Sequence, residues 1–196
     1  MTLMPSVELW FPVAIYKEEN LISEEENADL IKYCLELSKT VSSGGEDWYG
    51  DTYNTHGTYD LQNDIKFRPL LNLISMHVNN FASMHNSNAT YNISYAWLNI
   101  NATNTYQELH THNASIFSCS YYLSAPPGSG SIVFEDPKEP DMFPLKSISD
   151  KNQLSFTRIK YEATERTLIA FRSYLRHMVQ PGTNIEPRIS IAVNFT

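Results

Sequence analysis

The sequence predicts an α+β fold in which N-terminal helices pack on one sheet of a jelly roll, also called a double-stranded β-helix. Two stretches with apolar residues at helical spacing lie within the first 90 residues, and about eight short stretches with alternating polar and apolar residues follow. This order of elements is typical of a helical segment attached to a double-sheet jelly roll. The 196 residues are predicted to form one domain, 1–196, in which residues 1–90 precede a jelly-roll core at 91–196.

The first predicted elements are a strand and a helix. Residues 7–17 mix aromatic and β-branched residues, which predicts a strand, and Pro12 favours an edge position or a bulge because proline donates no ladder hydrogen bond. Ser23 followed by Glu26 has the spacing of a capping box. The sequence therefore predicts a helix that begins after Ser23 and extends to about Ser38.

A long stretch without regular periodicity separates this helix from the next one. Residues 39–63 are predicted to be a loop, and a loop of this length inside a domain is often functional. It either covers an active site or forms an ordered surface arm. His56 lies in this loop and is a spare ligand candidate, although its spacing gives that role no support. Apolar residues at helical spacing then predict a helix from about Phe67 to about His85, with Pro69 in its first turn.

From residue 91 onward the period of the apolar residues changes from helical to alternating, which indicates strands. Turn residues such as the Pro-Pro-Gly-Ser-Gly run at 126–130 separate the alternating stretches. The predicted strands are 91–101, 107–112, 116–124, 130–135, 155–161, 166–172, 175–180 and 187–195.

The overall charge argues against two classes of partner. A formal charge of −8 and a pI near 5.2 disfavour binding to nucleic acid or to an anionic membrane surface. No segment approaches the ~20 apolar residues of a membrane span. The N-terminal residues lack the basic and apolar regions of a signal peptide, so the sequence predicts a cytoplasmic protein.

Three histidines are candidate metal ligands. His110 and His112 are two residues apart in a predicted strand, where side chains at i and i+2 project from the same face. His177, near the start of a later predicted strand, can supply a third imidazole. Such a set can hold iron or zinc and leave positions open for substrate and water. Arg188 begins the last predicted strand and is expected to hold an acidic co-substrate.

The order of these residues resembles a known family. The segments Trp97-Leu98-Asn99, His110-Thr111-His112, Tyr121-Tyr122-Leu123 and Ser131 to Pro137, followed by His177 and Arg188, resemble the iron(II)- and 2-oxoglutarate-dependent dioxygenases, specifically the 2OG-Fe(II) oxygenase branch related to prolyl 4-hydroxylases. The resemblance covers about residues 91–196. It implies an enzyme that hydroxylates a substrate with Fe(II) and 2-oxoglutarate as cofactors.

The resemblance also implies a role for individual residues. His110, His112 and His177 would bind iron, and Arg188 would form a bidentate pair with the far carboxylate of 2-oxoglutarate. Ser190 shares a strand face with Arg188 and would donate a second hydrogen bond. Tyr122 occupies the position of a tyrosine whose hydroxyl lies near the same carboxylate in related enzymes. The alternatives are a structural salt bridge for Arg188 and aromatic packing for Tyr122.

One position departs from the wider superfamily, which uses two histidines and one carboxylate. Here the second ligand position holds His112, so the metal would carry one negative charge fewer among its ligands. This change is expected to weaken the binding of hard metal ions and to shift the redox behaviour of the metal. Glu108 precedes His110 by two residues and is an alternative source of the carboxylate.

Three other functions stay open at this point. Cupins also combine a His-x-His pair with a later histidine, but the glutamate that usually follows the pair is missing here. A three-histidine zinc site would support hydrolysis or hydration through metal-bound water. A non-enzymatic jelly-roll binding protein would have a site closed by side chains. The expected substrate of an oxygenase is a small molecule or a peptide.

Overall fold

Two antiparallel sheets and two α-helices make up the fold of the part that this computed structural model describes, residues 6–44, 50, 52–138 and 145–196. The helices are α1 (Glu24–Leu37) and α2 (Arg68–Met84), and a short 3₁₀ helix spans Leu61–Asn63. The strands are β1 (Ile15–Glu18), β2 (Tyr53–Asn54), β3 (Ile93–Asn101), β4 (Gln107–His110), β5 (Phe117–Ser124), β6 (Ile132–Glu135), β7 (Arg158–Tyr161), β8 (Thr167–Arg172), β9 (His177–Val179) and β10 (Arg188–Phe195).

The two sheets have the strand orders expected of a jelly roll. The larger sheet has the order β1-β8-β5-β10-β3-β2, and the smaller one has the order β4-β9-β6-β7. Neighbouring strands are antiparallel throughout these pairs. The predicted α+β fold with a jelly roll is therefore confirmed, and each of the eight strands predicted between residues 91 and 196 is present.

Helix α1 begins where the capping pattern predicts. The backbone N–H of Glu26 donates to Oγ of Ser23 at 3.2 Å, and the backbone N–H of Ser23 donates to Oε2 of Glu26 at 3.0 Å. One buried polar residue fixes this helix to the larger sheet. Nδ2 of Asn27 donates to the carbonyl oxygen of Leu123 at 2.8 Å, and the hydroxyl of Tyr121 donates to Oδ1 of Asn27 at 3.2 Å.

The main core lies between the helices and the outer face of the larger sheet. Helix α2 buries one apolar face there, including Leu70, Ile74 and Phe81. From the sheet, buried residues of β10 such as Ile191 and Val193 face the helices. Because side chains alternate along a strand, the intervening residues of β10 face the smaller sheet instead. Those inner-face positions are Arg188, Ser190, Ala192 and Asn194.

The structure corrects two predictions for the N-terminal half. The strand predicted at 7–17 is only Ile15–Glu18, which begins after Pro12 and after Phe11, whose φ of 59° is incompatible with an extended strand. Its edge position is confirmed, since β1 is at one edge of the larger sheet. The loop predicted at 39–63 contains β2 and the 3₁₀ helix, while its residues 45–49 and 51 lie outside the described residues.

Candidate metal centre

Strand pairing brings the three predicted histidines together. His110 ends β4, His177 begins β9, and the two residues are directly opposite each other in the antiparallel pair. The ring centroids of His110 and His177 are 4.2 Å apart, and the ring of His112 is 5.0 Å from each of them. One nitrogen from each ring lies within 4.8 Å of the others. This spacing is compatible with one metal ion between the three rings.

His112 reaches this cluster by a route that differs from the prediction. The predicted strand 107–112 ends at His110, so His112 lies beyond β4 and does not share a strand face with it. The backbone N–H of His112 donates to the carbonyl oxygen of Ser173 at 3.2 Å, which holds the segment against the larger sheet. Nε2 of His112 is then 3.2 Å from Nε2 of His177.

Hydrogen bonds to the backbone orient two of the rings. Nδ1 of His110 is 2.6 Å from the carbonyl oxygen of Glu108, and Nδ1 of His177 is 2.9 Å from that of Leu175. A carbonyl oxygen can only accept, so the proton of each neutral ring is on Nδ1. Nε2 of both rings is therefore unprotonated, which is the state that a metal ion requires.

Burial keeps the three imidazoles neutral. It lowers the pKa of His110, and it lowers the pKa of His112 and of His177 to about 3, with the neighbouring imidazoles acting in the same direction on the latter two. The rings of Phe134 and Phe171 contribute to the apolar surroundings of His177. Neutral imidazole is the form that binds metals, so a metal ion can bind to this cluster with no net release of protons.

The other two ligand candidates do not belong to this cluster. Oε1 of Glu108 accepts a hydrogen bond from the backbone N–H of Gly50 at 3.1 Å, and Glu108 is not among the residues whose ligand atoms meet. The suggestion that Glu108 supplies a carboxylate is therefore wrong. His56 packs with its ring centroid 5.4 Å from that of Trp97, and the ring of Trp97 is 5.7 Å from that of His112.

Arg188 lies buried on the inner face of the larger sheet with only 2% of its surface exposed. Its Nη1 donates to the carbonyl oxygen of Gly130 at 2.9 Å, and its Nη2 donates to Oδ1 of Asn101 at 2.7 Å. Among the described residues it has no carboxylate partner, and its Nε has no hydrogen-bond acceptor. Burial lowers the pKa of the guanidinium. The alternative of a structural salt bridge is therefore not found in the described part of the chain.

Tyr122 and Ser190 are neighbours of Arg188 on the same inner face. Ser190 is opposite Tyr122 in the pairing of β10 with β5, and the guanidinium carbon of Arg188 is 5.7 Å from the centre of the Tyr122 ring. The buried hydroxyl of Tyr122 has no partner of normal hydrogen-bond geometry in the described residues. Burial raises its pKa, while Arg188 and the Ser120 hydroxyl oppose that shift. The Tyr122 ring also packs in the smaller core between the sheets, which is the aromatic packing given as the alternative, while its role beside the co-substrate stays a prediction.

Small side chains occupy the inner face of the larger sheet between Arg188 and Asn194. The inner-face residues of β10 between Arg188 and Asn194 are Ser190 and Ala192, and Ala192 is opposite Ser120 of β5. These small side chains leave the inner face partly exposed at Ala192 and Ser120, although the outer face of the same strands is buried. The sequence reasoning did not identify Asn101 or Asn194. The positions of these two residues near Arg188 and His112 depend on the register of β10 with its neighbouring strands, which the sequence alone does not give.

Comparison with known proteins agrees with this geometry. Residues 95–194 match the family described as "Putative 2OG-Fe(II) oxygenase". No curated protein matches the sequence.

Solved structures with the same fold are distant in sequence. A prolyl-4-hydroxylase from Pseudomonas putida is 11% identical with a TM-score of 0.63, over 93% of this chain and 92% of that one. A prolyl hydroxylase from Trichoplax adhaerens, in complex with a hypoxia-inducible-factor peptide fragment, is 14% identical with a TM-score of 0.61, over 92% of this chain and 82% of that one. HygX from Streptomyces hygroscopicus, with nickel, 2-oxoglutarate and hygromycin B bound, is 11% identical with a TM-score of 0.61, over 93% and 82%. At these identities the likeness shows the fold alone.

On its inner side the jelly roll holds three neutral imidazoles and a buried guanidinium, an arrangement compatible with a metal-dependent enzyme. The chain belongs to the 2OG-Fe(II) oxygenase family, and its cofactors are iron(II) and 2-oxoglutarate. The predicted enzyme class is thereby confirmed, and the cupin-like and non-enzymatic alternatives are set aside. The described part of the chain contains no helix with the length and apolar character needed to cross a bilayer.

Proposed function

We propose that His110, His112 and His177 bind iron(II), that Arg188 binds 2-oxoglutarate with the help of Tyr122 and Ser190, and that the enzyme hydroxylates a C–H bond of a small molecule or a peptide. The observation that carries this proposal is the buried guanidinium of Arg188, which has no carboxylate partner in the described residues. A buried charge without a counter-ion is costly, so such a residue is expected to meet an anionic ligand.

The histidine cluster fits iron(II) by its donor set. Two of its rings have protons on Nδ1 and lone pairs on Nε2, and burial keeps all three rings neutral. Imidazole nitrogen suits iron, and three protein ligands leave coordination positions open. The chemistry supplied by bound iron(II), dioxygen and 2-oxoglutarate is C–H hydroxylation coupled to the formation of succinate and carbon dioxide.

The co-substrate site offers buried donors for a carboxylate at Arg188 and Tyr122. Gly130 and Asn101 each accept one of the five N–H groups of Arg188, which fixes the directions of the remaining three, including that of Nε. The Tyr122 hydroxyl adds a second buried donor beside it. These groups would bind the far carboxylate, while the small residues of β10 leave room for the rest of the molecule toward the histidines.

The third imidazole in place of a carboxylate changes the charge of the site. With three neutral ligands, the protein leaves the full charge of a divalent metal ion uncompensated. This favours a dianionic co-substrate over neutral competitors, because the attraction acts in a largely buried site. Arg188 would bind one end of 2-oxoglutarate, and a metal ion held by the three histidines would attract the other.

The substrate is proposed to lie against the aromatic side chains beside His112. Tyr95 and Trp97 share the inner face of β3, and the ring of His56 packs edge-on against both of them. These side chains are partly or fully exposed. The relatives described above hold a peptide in one case and hygromycin B in another. Aromatic faces contact apolar parts of either class of molecule.

The decisive experiment separates metal binding from co-substrate binding. Protein loaded with nickel(II) or manganese(II) is titrated with 2-oxoglutarate by calorimetry, and iron-loaded protein is assayed for succinate release with a library of peptides and small molecules. His177→Ala should lose the metal, whereas Arg188→Ala should keep the metal and lose 2-oxoglutarate affinity. Arg158→Ala, at an exposed arginine paired with Glu135, should change neither property. A metal-loaded wild-type protein that does not bind 2-oxoglutarate would contradict the proposal.

A zinc enzyme is the second candidate, because three histidines without a carboxylate are also a zinc-binding set. Metal analysis of protein purified without added metal tests it. Stoichiometric zinc together with no 2-oxoglutarate binding would favour this alternative over the oxygenase.

A further inference from the structure

His112 differs from the other two histidines in what its Nδ1 atom faces. In His110 and His177 that atom faces a backbone carbonyl oxygen. Nδ1 of His112 instead lies 3.3 Å from Nδ2 of Asn194, on the inner face of β10. Nδ2 of an asparagine only donates, so Nδ1 of His112 accepts in this arrangement.

The hydrogen bonds around His112 fix its tautomer. Since Nδ1 accepts, the proton of the neutral ring is on Nε2, and Nε2 lies 3.2 Å from Nε2 of His177. The latter atom has a lone pair, because the proton of His177 is on Nδ1. His112 therefore donates to His177, and the metal-free cluster is closed by a hydrogen bond between two of its ligands. In this state Nε2 of His112 cannot bind a metal ion.

Asn194 ends a chain of buried polar side chains that can reverse its direction. Its Oδ1 accepts from Oγ of Ser118 at 2.8 Å, and Oγ of Ser118 is 2.7 Å from Oγ of Ser173. Rotating the carboxamide by 180° exchanges its oxygen and nitrogen at nearly the same positions. Oδ1 would then accept from Nδ1 of His112, Nδ2 would donate to Ser118, and Ser118 would donate to Ser173. Ser118 keeps one donor and one acceptor role in both directions, whereas the Ser173 hydroxyl changes from donor to acceptor.

We propose that Asn194 is a positioning residue for His112: its carboxamide selects which ring nitrogen carries the proton, and it turns over when the metal binds. The proposal rests on the proposed role of His112 as a metal ligand. Binding through Nε2 requires the proton on Nδ1, and that proton needs the acceptor that the rotated amide supplies. Asparagine suits both states because it offers a donor and an acceptor, whereas aspartate supports only the metal-bound one.

Nitrogen NMR of the imidazoles tests the tautomers directly. In ¹⁵N-labelled protein, long-range ¹H–¹⁵N spectra distinguish a proton on Nδ1 from one on Nε2, and the His112→Gln variant assigns the His112 signals. We expect His112 to be protonated on Nε2 in metal-free protein, and on Nδ1 after addition of zinc(II), a diamagnetic probe. His110 and His177 should be protonated on Nδ1 in both states. A metal-free protein with His112 protonated on Nδ1 would overturn the proposal.

Two variants at position 194 separate positioning from packing. Asn194→Asp should hold the proton of His112 on Nδ1 with and without zinc(II). Asn194→Leu has no polar group and should weaken zinc(II) binding by about tenfold to a hundredfold, which is usual for the loss of a partner of a ligating histidine. Asn92→Leu, at an exposed residue next to β3, is the control and should leave both properties unchanged. If Asn194→Leu fails to fold, the position of the His112 proton in Asn194→Asp still tests the proposal.

The outcomes distinguish this proposal from the proposed function. Zinc(II) bound with the His112 proton on Nδ1, together with an Asn194→Leu variant that binds zinc(II) as tightly as the wild-type protein, would overturn only the role of Asn194. A wild-type protein that binds no zinc(II), cobalt(II) or iron(II) would overturn the metal site and the role of Asn194 together.

Discussion

Nη2 of Arg188 donates to Oδ1 of Asn101 at 2.7 Å, across the register that pairs β10 with β3. A side-chain amide thus occupies the place where a carboxylate would have formed a salt bridge. The amide fixes the direction of the guanidinium without neutralising its charge. The pair therefore keeps a buried positive charge available for an anion that comes from outside the chain.

Replacing Arg188 by lysine should weaken 2-oxoglutarate binding. An ammonium group cannot satisfy Asn101 and Gly130 while it also presents a planar donor to a carboxylate. We expect the Kd for 2-oxoglutarate to rise on the order of tenfold to a hundredfold, with metal affinity unchanged. Calorimetry on nickel-loaded protein measures both. Arg158→Lys on the surface is the matched control, and equal losses in the two variants would contradict the assignment.

Replacing His112 by aspartate should change the preference for metals. Imidazole suits zinc and iron, whereas a carboxylate oxygen suits harder ions such as manganese(II). We expect the ratio of the Kd for manganese(II) to the Kd for zinc(II) to fall by about tenfold in His112→Asp. Competition titrations give this ratio. Asn113→Asp adds the same charge at the exposed neighbouring residue and should leave the ratio as it is; a similar fall in both variants would mean that charge alone is responsible.

The metal-free protein should lose stability as the pH falls from about 6.5. Burial lowers the pKa of His112 and His177 from the ordinary 6.5 to about 3, so the unfolded chain binds more protons than the folded one between these values. The free energy of unfolding should be highest above pH 6.5 and should decrease toward pH 3. The slope is up to about 1.4 kcal/mol per pH unit for each proton. Urea denaturation at several pH values measures it, and the double variant His112→Gln with His177→Gln should have a flatter curve.

Replacing Asn27 by alanine should destabilise the attachment of α1 to the larger sheet. The change removes hydrogen bonds to Leu123 and Tyr121 and leaves a buried hydroxyl and a buried carbonyl without partners. Each unsatisfied group costs about 1–3 kcal/mol. Denaturant unfolding checks the loss. In the Tyr121→Phe variant, Asn27→Ala should lower the free energy of unfolding by less, because the Tyr121 hydroxyl is already absent. Fully additive losses would show that Asn27 and Tyr121 do not interact.

The C-terminal half of the fold follows from local pattern. Alternation of apolar residues and the turn residues between them predicted each strand from 91 to 196, because both faces of a jelly-roll strand have distinct environments. The N-terminal strand was predicted too long, since the aromatic residues before Ile15 suggested a strand that Phe11 and Pro12 prevent. Strand β2 has only two residues, which is too short for any period to show.

The candidate site was predictable in its motif residues and not in their partners. His110, His177 and Arg188 have recognisable spacing along the chain. Asn101 and Asn194 contact Arg188 and His112 only because β10 adopts one register with its neighbours. Register depends on which residues of distant strands become buried together, and a single sequence does not encode that in any local pattern. The departure of His112 from the strand was missed for the same reason.

The alternation of side chains along β10 has a consequence for the evolution of this enzyme. Its odd-numbered residues from Ile189 to Phe195 belong to the core under the helices, and its even-numbered residues from Arg188 to Asn194 face the smaller sheet. Exchanges on one side can therefore accumulate while the other side is preserved, which allows new chemistry to arise on an unchanged scaffold. Gaining or losing one residue within this strand would exchange the two sides at once and abolish folding and activity together.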